Sequence, residues 1–153
     1  MDEKLIKKDC YQVFLFACPA HLPLSFAAHS WFVVNRKGEI SRWEVTFSKP
    51  KRELSWGHLS KNLFSFFQGL AMLPFMSSIC WKGKLLGHTE GAEGSVAHRM
   101  SELILSSNTA YPYCEKYHLV GPNSNTYVQW IVDRFPESGL RLPWNAFGKH
   151  HRV

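Results

Sequence analysis

The chain has 153 residues, 45% of them apolar and 14% aromatic, which suits one domain with a sizeable core and argues against two. Its 18 Lys and Arg against 12 Asp and Glu give a formal charge of +6, which invites a polyanionic partner. The bases are dispersed, however, and the local groups Lys49/Lys51/Arg52, Lys82/Lys84 and Lys149-His150-His151-Arg152 lack the aromatic interleaving of a single-strand binding face. No nucleic-acid partner is expected, and the excess reads as solvated surface.

Lys4, Lys7 and Lys8 ahead of Val13-Phe14-Leu15-Phe16-Ala17 imitate a secretory leader, but Asp2, Glu3 and Asp9 interrupt the basic region and Cys18-Pro19 ends the apolar run. A buried strand is expected there instead. No stretch approaches the ~20 apolar residues of a bilayer span, so no transmembrane segment is expected. Cys10, Cys18, Cys80 and Cys114 form no Cys-x-x-Cys pair and are too sparse for a disulfide scaffold, which predicts reduced thiols in a cytoplasmic protein.

In chain order, Tyr11 to Ala17 and Phe26 to Val34 read as strands. The turn residues Asn35 to Glu39 then lead into Ile40 to Phe47, which alternates Trp43, Val45 and Phe47 against Arg42, Glu44 and Thr46, so residues 26 to 47 predict an antiparallel hairpin. Ser48 to Gly57 reads as a loop, and Leu63 to Leu70 as a short helix capped by Ser60. A strand is expected over Ile79 to Leu86, a break over Gly91 to Gly94, and an amphipathic helix over Ser95 to Ser106. Pro112 argues against helix in Tyr111 to Val120.

The strongest local signal is Gly121-Pro122-Asn123-Ser124-Asn125-Thr126, in which a helix stop is followed by cap-competent residues and then by the apolar helical pattern of Tyr127 to Phe135. Stepping back from Phe135 through Ile131 and Val128 reaches Ser124, so its hydroxyl should face the sheet. Pro136, Gly139 and Pro143 end that helix, and Leu140 to Lys149 should pack irregularly on the body.

A hydroxyl at a helix N-terminus lies beside unpaired N–H groups and the positive end of the dipole, where an oxyanion is stabilised. Ser124 is therefore a candidate nucleophile, His29 a candidate base, and Glu44 a group able to orient it, because a hairpin turning at Lys37-Gly38 sets His29 opposite about Thr46. Asn123, Asn125 and Thr126 are candidate ligand-binding residues, with the N–H groups of Asn125 and Thr126 available to an oxyanion. Each also has a plain structural reading: helix caps, a satisfied core histidine and a solvated strand carboxylate. The remaining histidines and cysteines show no metal-ligand spacing, and no phosphate loop is present, so neither a metal nor another cofactor is expected.

The blocks Ala28-His29-Ser30-Trp31, Trp43-Glu44-Val45, Tyr111-Pro112-Tyr113, Gly121 to Val128 and Phe147-Gly148-Lys149 resemble, in order, a bacterial domain-of-unknown-function family marked by His-Thr-Trp and Gly-Pro-Asn-Ser-Asn-Thr-Phe motifs. More distantly, the order of His strand, Glu strand and Asn-Cys-Asn-like helix start resembles circularly permuted papain-like proteins of the PPPDE and lecithin retinol acyltransferase-like kinds. That likeness implies an α+β fold of NlpC-like architecture, an antiparallel sheet with helices packed against it. It implies Ser124 in the place of the catalytic Cys and His29 in that of the base. A serine cannot be ionised as cheaply as a thiol, so the departure matters. The first expectation is a hydrolase or acyl/peptidyl transferase acting on a peptide, isopeptide or acyl-bearing small molecule. The alternative is a non-catalytic ligand- or protein-binding module of the same fold, and a third is a structural or partner-interaction protein using exposed aromatics such as Trp144.

Overall fold

The computed structural model describes residues 5–74 and 76–152. Its fold is α+β, dominated by an antiparallel sheet. The strands are β1 (Tyr11–Pro19), β2 (Ala28–Arg36), β3 (Glu39–Val45), β4 (Ser55–Trp56), β5 (Leu59–Lys61), β6 (Gln68–Leu73), β7 (Met76–Lys82) and β8 (Lys84–Gly91). The helices are α1 (Val96–Leu105), α2 (Ser107–Ala110) and α3 (Ser124–Val132). A six-stranded sheet runs in the order β4-β5-β3-β2-β1-β8, and β6 and β7 form a separate pair. The expected 26–47 hairpin forms with Phe32 opposite Trp43 and Val34 opposite Ser41.

Both faces of the central strands are covered, which explains the almost unbroken apolar run of β1. On one face Val13, Leu15, Phe32, Val34, Trp43 and Val45 pack against α1 and α3 through Met100, Ile104, Tyr127, Val128 and Ile131. On the other, Phe14, Phe16, Cys18, Trp31 and Val33 pack against Phe64, Phe66, Phe67, Leu70, Trp81 and Leu85. The period-two alternation of a strand assigns each side chain to one layer or the other.

Three expected elements differ. The loop expected over Ser48 to Gly57 holds the two-residue strand β4, which pairs with β5. Leu63 to Leu70 is not a helix: Ser60 lies in β5 opposite Glu44, and the chain turns and enters β6 at Gln68. The short aromatic run satisfies a helical spacing by chance, whereas its rings form the second apolar layer. The expected strand over Ile79 to Leu86 is two strands, broken at Gly83. A Cβ there would stand 2.5 Å from the Phe67 carbonyl oxygen and 2.9 Å from the Trp31 ring, so the chain crosses between sheets at a point where only glycine fits.

If both layers are true cores, Leu15→Ala, on the helix side, and Phe14→Ala, on the aromatic side, will each destabilise by about 2–5 kcal/mol. Urea denaturation measures both. A loss below about 1 kcal/mol for Phe14→Ala alone would mean that the second layer is only a loosely seated cover.

Candidate functional site

At the start of α3, Asn123 Oδ1 accepts from the Asn125 N–H (3.0 Å) and the Thr126 N–H (3.2 Å), while the Asn123 N–H donates to Thr126 Oγ1 (3.1 Å). This reciprocal capping satisfies the exposed donors of the first turn. The remaining polar atoms tie the helix to distant chain. Asn125 Nδ2 donates to the carbonyls of Ala28 (2.8 Å) and Phe147 (2.9 Å), and Asn125 Oδ1 accepts from Ser30 Oγ (2.7 Å). Asn123 Nδ2 donates to the carbonyls of Leu119 and Phe147, and Thr126 Oγ1 to that of Gly148. Gly148 has φ +90°, and a Cβ on it would lie 2.5 Å from the Asn123 amide, so the tail crosses this cap as closely as a backbone can. None of these bonds uses Ser124 Oγ, although Ser124 is buried.

His29 belongs to the other layer. Its Nε2 lies 3.0 Å from Glu44 Oε2, which also accepts from Arg42 Nη2 at 2.8 Å. Arg42 Nε approaches Glu44 Oε1 at 2.7 Å, a close ion contact poorly aligned as a hydrogen bond. The guanidinium lies 4.2 Å from the centre of the Trp31 ring, and its Nη1 donates to the carbonyls of Ser65 and Gln68 in the segment leading into β6. Arg42 and Glu44 are both wholly buried.

The electrostatics follow from that burial. Arg42 and Glu44 cancel, so a proton on His29 would leave an unbalanced buried charge. Desolvation accordingly holds the imidazole below its ordinary 6.5, against the opposing pull of Glu44. Burial would raise the Glu44 carboxyl, but the His29 hydrogen bond and the Arg42 charge outweigh it and hold the group below its ordinary 4.5. Neutral His29 thus donates Nε2–H to the carboxylate. Cys18, paired with His29 across β1 and β2, accepts from the Leu70 N–H at 3.3 Å, and its thiol is pushed by burial up to about 11. At neutral pH it stays a thiol, which makes it a poor nucleophile.

Of the expected site residues, His29 and Glu44 meet, and Asn123, Ser124, Asn125 and Thr126 share one helix start. The two groups lie on opposite faces of the sheet. Ser30, one residue along β2, is the side chain that meets α3, while His29 points with Trp31 into the aromatic layer. The direct Ser124–His29 contact of a dyad is not formed, and the N–H groups of Asn125 and Thr126 are already spent on Asn123. Two participants escaped the sequence reading, Arg42 and Ser30. The signal for Arg42 was its alternation with Glu44 beside a cluster of three phenylalanines at 64–67. Among the described residues no group of three or more His, Cys, Asp or Glu could hold a metal ion, and no helix is long and apolar enough to cross a membrane.

Residues 11–151 match the family described as "Protein of unknown function (DUF3750)", and the chain belongs to that family. No curated protein and no solved structure matches it.

The buried network predicts an acid-sensitive fold. As pH falls through about 6.5 the unfolded chain takes up a proton that native His29 refuses, so this part of the stability is complete above 6.5 and is lost progressively below it. Glu44 adds a second loss as pH falls below 4.5 towards its depressed native value. His29→Gln should therefore flatten the pH dependence of the urea midpoint between 6.5 and 4.5; an unchanged slope would assign it to another histidine. Glu44→Gln, which leaves Arg42 buried without its counter-charge, should destabilise by about 3–5 kcal/mol.

Proposed function

We propose that this chain is a non-catalytic binding module on a permuted papain-like frame, working in the cytoplasm. The observation that carries this reading is the division of the polar residues by the sheet, with the Ser124 helix on one face and the His29 imidazole on the other. Acyl transfer from Ser124 needs a base within direct or single-water reach, and a donor pair left open for the oxyanion. Here the base is used by Glu44 and the donors by Asn123. The papain-like frame is supported by element order: the His-bearing strand, the Glu-bearing strand, then a capped helix whose first turn docks at the start of the His-bearing strand through Asn125, Ala28 and Ser30. The free thiols of Cys10, Cys18 and Cys114 fit a reducing compartment.

What remains to meet a partner is the surface around the sealed helix start. Phe26 and Phe147 touch there in an edge-on contact with centroids 6.2 Å apart, and both are exposed, as are Leu119, Val120 and Trp144. Exposed apolar groups gathered about one end of a domain mark an interaction surface.

A serine-directed fluorophosphonate probe tests the reading. The native chain should show no labelling beyond that of Ser124→Ala, and a thiol introduced as Ser124→Cys should alkylate with an apparent pKa at or above the ordinary ~8.5, since no imidazole faces it. Labelling that disappears in Ser124→Ala would return the site to enzymology. Asn125→Ala should lower stability by about 2 kcal/mol or more, because it strands the Ser30 hydroxyl and the Ala28 carbonyl and leaves the Phe147 carbonyl to Asn123 alone.

A further inference from the structure

The C-terminal segment lies beside α3 and the residues that follow it. Together they enclose an open cleft of about 700 Å³, lined on its polar side by Arg134, Arg141, Lys149, His150, His151 and Arg152. The single carboxylate lining it, Asp133, accepts from Gln129 Nε2 at 2.6 Å. Two of the cations are held in place: Arg134 lies 4.4 Å from the Trp130 ring centre, and Lys149 Nζ donates to the Pro143 carbonyl at 2.8 Å. An anion entering this cleft would meet positive charge already arranged for it.

The rim is apolar. Trp144 is 83% exposed, Val120 80% and Leu119 65%, with Phe26 63% and Phe147 42% beside them. The rim and the cleft are contiguous, since Trp144 follows the Pro143 that holds Lys149, and a Cβ on Gly121 would sit 2.7 Å from the His151 side chain. Val120, Trp144 and Phe26 stand on three separate turns. Segments 20–28, 116–132 and 139–152, which carry the apolar rim and the C-terminal cations, contain no Asp or Glu, and residues 133–138, which supply Arg134, bring Asp133 and Glu137.

We propose that this end of the molecule docks on an anionic phospholipid surface, a proposal that rests on reading the α3 end as a binding surface. Trp144, Val120 and Phe147 enter the boundary between headgroups and acyl chains, and Arg141, Lys149 and Arg152 meet the lipid phosphates and carboxylates. Soluble phosphate would account for the cations but not for aromatic and aliphatic side chains projecting from three turns. A flat protein interface would gather its apolar groups into one packed patch, whereas separate apolar tips around basic side chains suit a soft interface that each tip enters independently. With Asp133 the single carboxylate lining the cleft, and that one bonded to Gln129, the repulsion from a negatively charged leaflet is small beside the attraction of Arg134, Arg141, Lys149 and Arg152.

Co-sedimentation of the full chain with phosphatidylcholine vesicles, with and without phosphatidylserine, is the test. The chain should pellet with phosphatidylserine vesicles, stay in solution with phosphatidylcholine alone, and be released as salt rises. Arg141→Glu with Arg152→Glu, and separately Val120→Ser with Trp144→Ser, should each weaken binding by about tenfold or more while melting as the native chain does, because all four side chains are exposed. Failure to pellet with phosphatidylserine vesicles overturns the proposal. So does unchanged binding by Val120→Ser/Trp144→Ser together with full competition by inorganic phosphate, which would make the cleft a soluble-phosphate site. Absence of vesicle binding without fluorophosphonate labelling removes the lipid and leaves the binding module; Ser124-dependent labelling removes the module itself.

Discussion

The two buried faces of β2 are the constraint on which the rest of this structure depends. From Ala28 to Val34 the strand alternates between the helix layer and the aromatic layer, and each of its polar residues is satisfied on its own side: Ser30 by Asn125, His29 by Glu44. A slip of one residue would carry the imidazole into the helix layer and Ser30 into the rings, leaving both without partners. Register is thus fixed by polar satisfaction as well as by apolar packing, since an unpaired polar group in either layer is penalised more than a misplaced aliphatic one.

The two polar networks do different work. Arg42, Glu44 and His29 join the main sheet to the chain that leads into β6, because Arg42 reaches past Glu44 to the carbonyls of Ser65 and Gln68. That segment has no helix or long strand of its own, and the guanidinium fork is what fixes its backbone above Trp31. A lysine could supply the charge but not the planar fork that meets a carboxylate and two carbonyls while lying over a ring. On the helix side, Asn123, Asn125 and Thr126 join three segments remote in sequence: the start of β2, the first turn of α3 and residues 147–148.

Much of this was legible in the sequence. The 26–47 hairpin, the alternation of Trp43 and Val45 against Arg42 and Glu44, and a helix starting near Ser124 all follow from period and cap chemistry, which act locally. The face on which His29 lies does not, because its register opposite about Thr46 is the same whichever layer α3 joins. The burial of Glu44 was hidden for a related reason. A carboxylate alternating with Arg and Thr reads as solvated until another segment is known to cover it, and the covering segment, Leu63 to Leu70, carries too few residues to distinguish helix from extended chain. The closeness of Gly148 to Asn123 has no sequence signature beyond the glycine itself.

The capped helix start is also what separates the proposed binding module from an enzyme. The first turn of a helix offers a few N–H donors, and the same donors cannot both bind a substrate oxyanion and hold a permanent cap. In this chain Asn123 takes two of them, and the candidate ligand-binding side chains of Asn125 and Thr126 are bonded to the carbonyls of the tail. Sealing the helix start in this way has a structural consequence. Once residues 147 and 148 are fixed across the cap, residues 149–152 run back beside α3, and the basic side chains of the C-terminus stand along one wall of a cleft instead of trailing in solvent. The arrangement that seals the helix start is therefore the one that builds the cationic, apolar-rimmed end of the molecule.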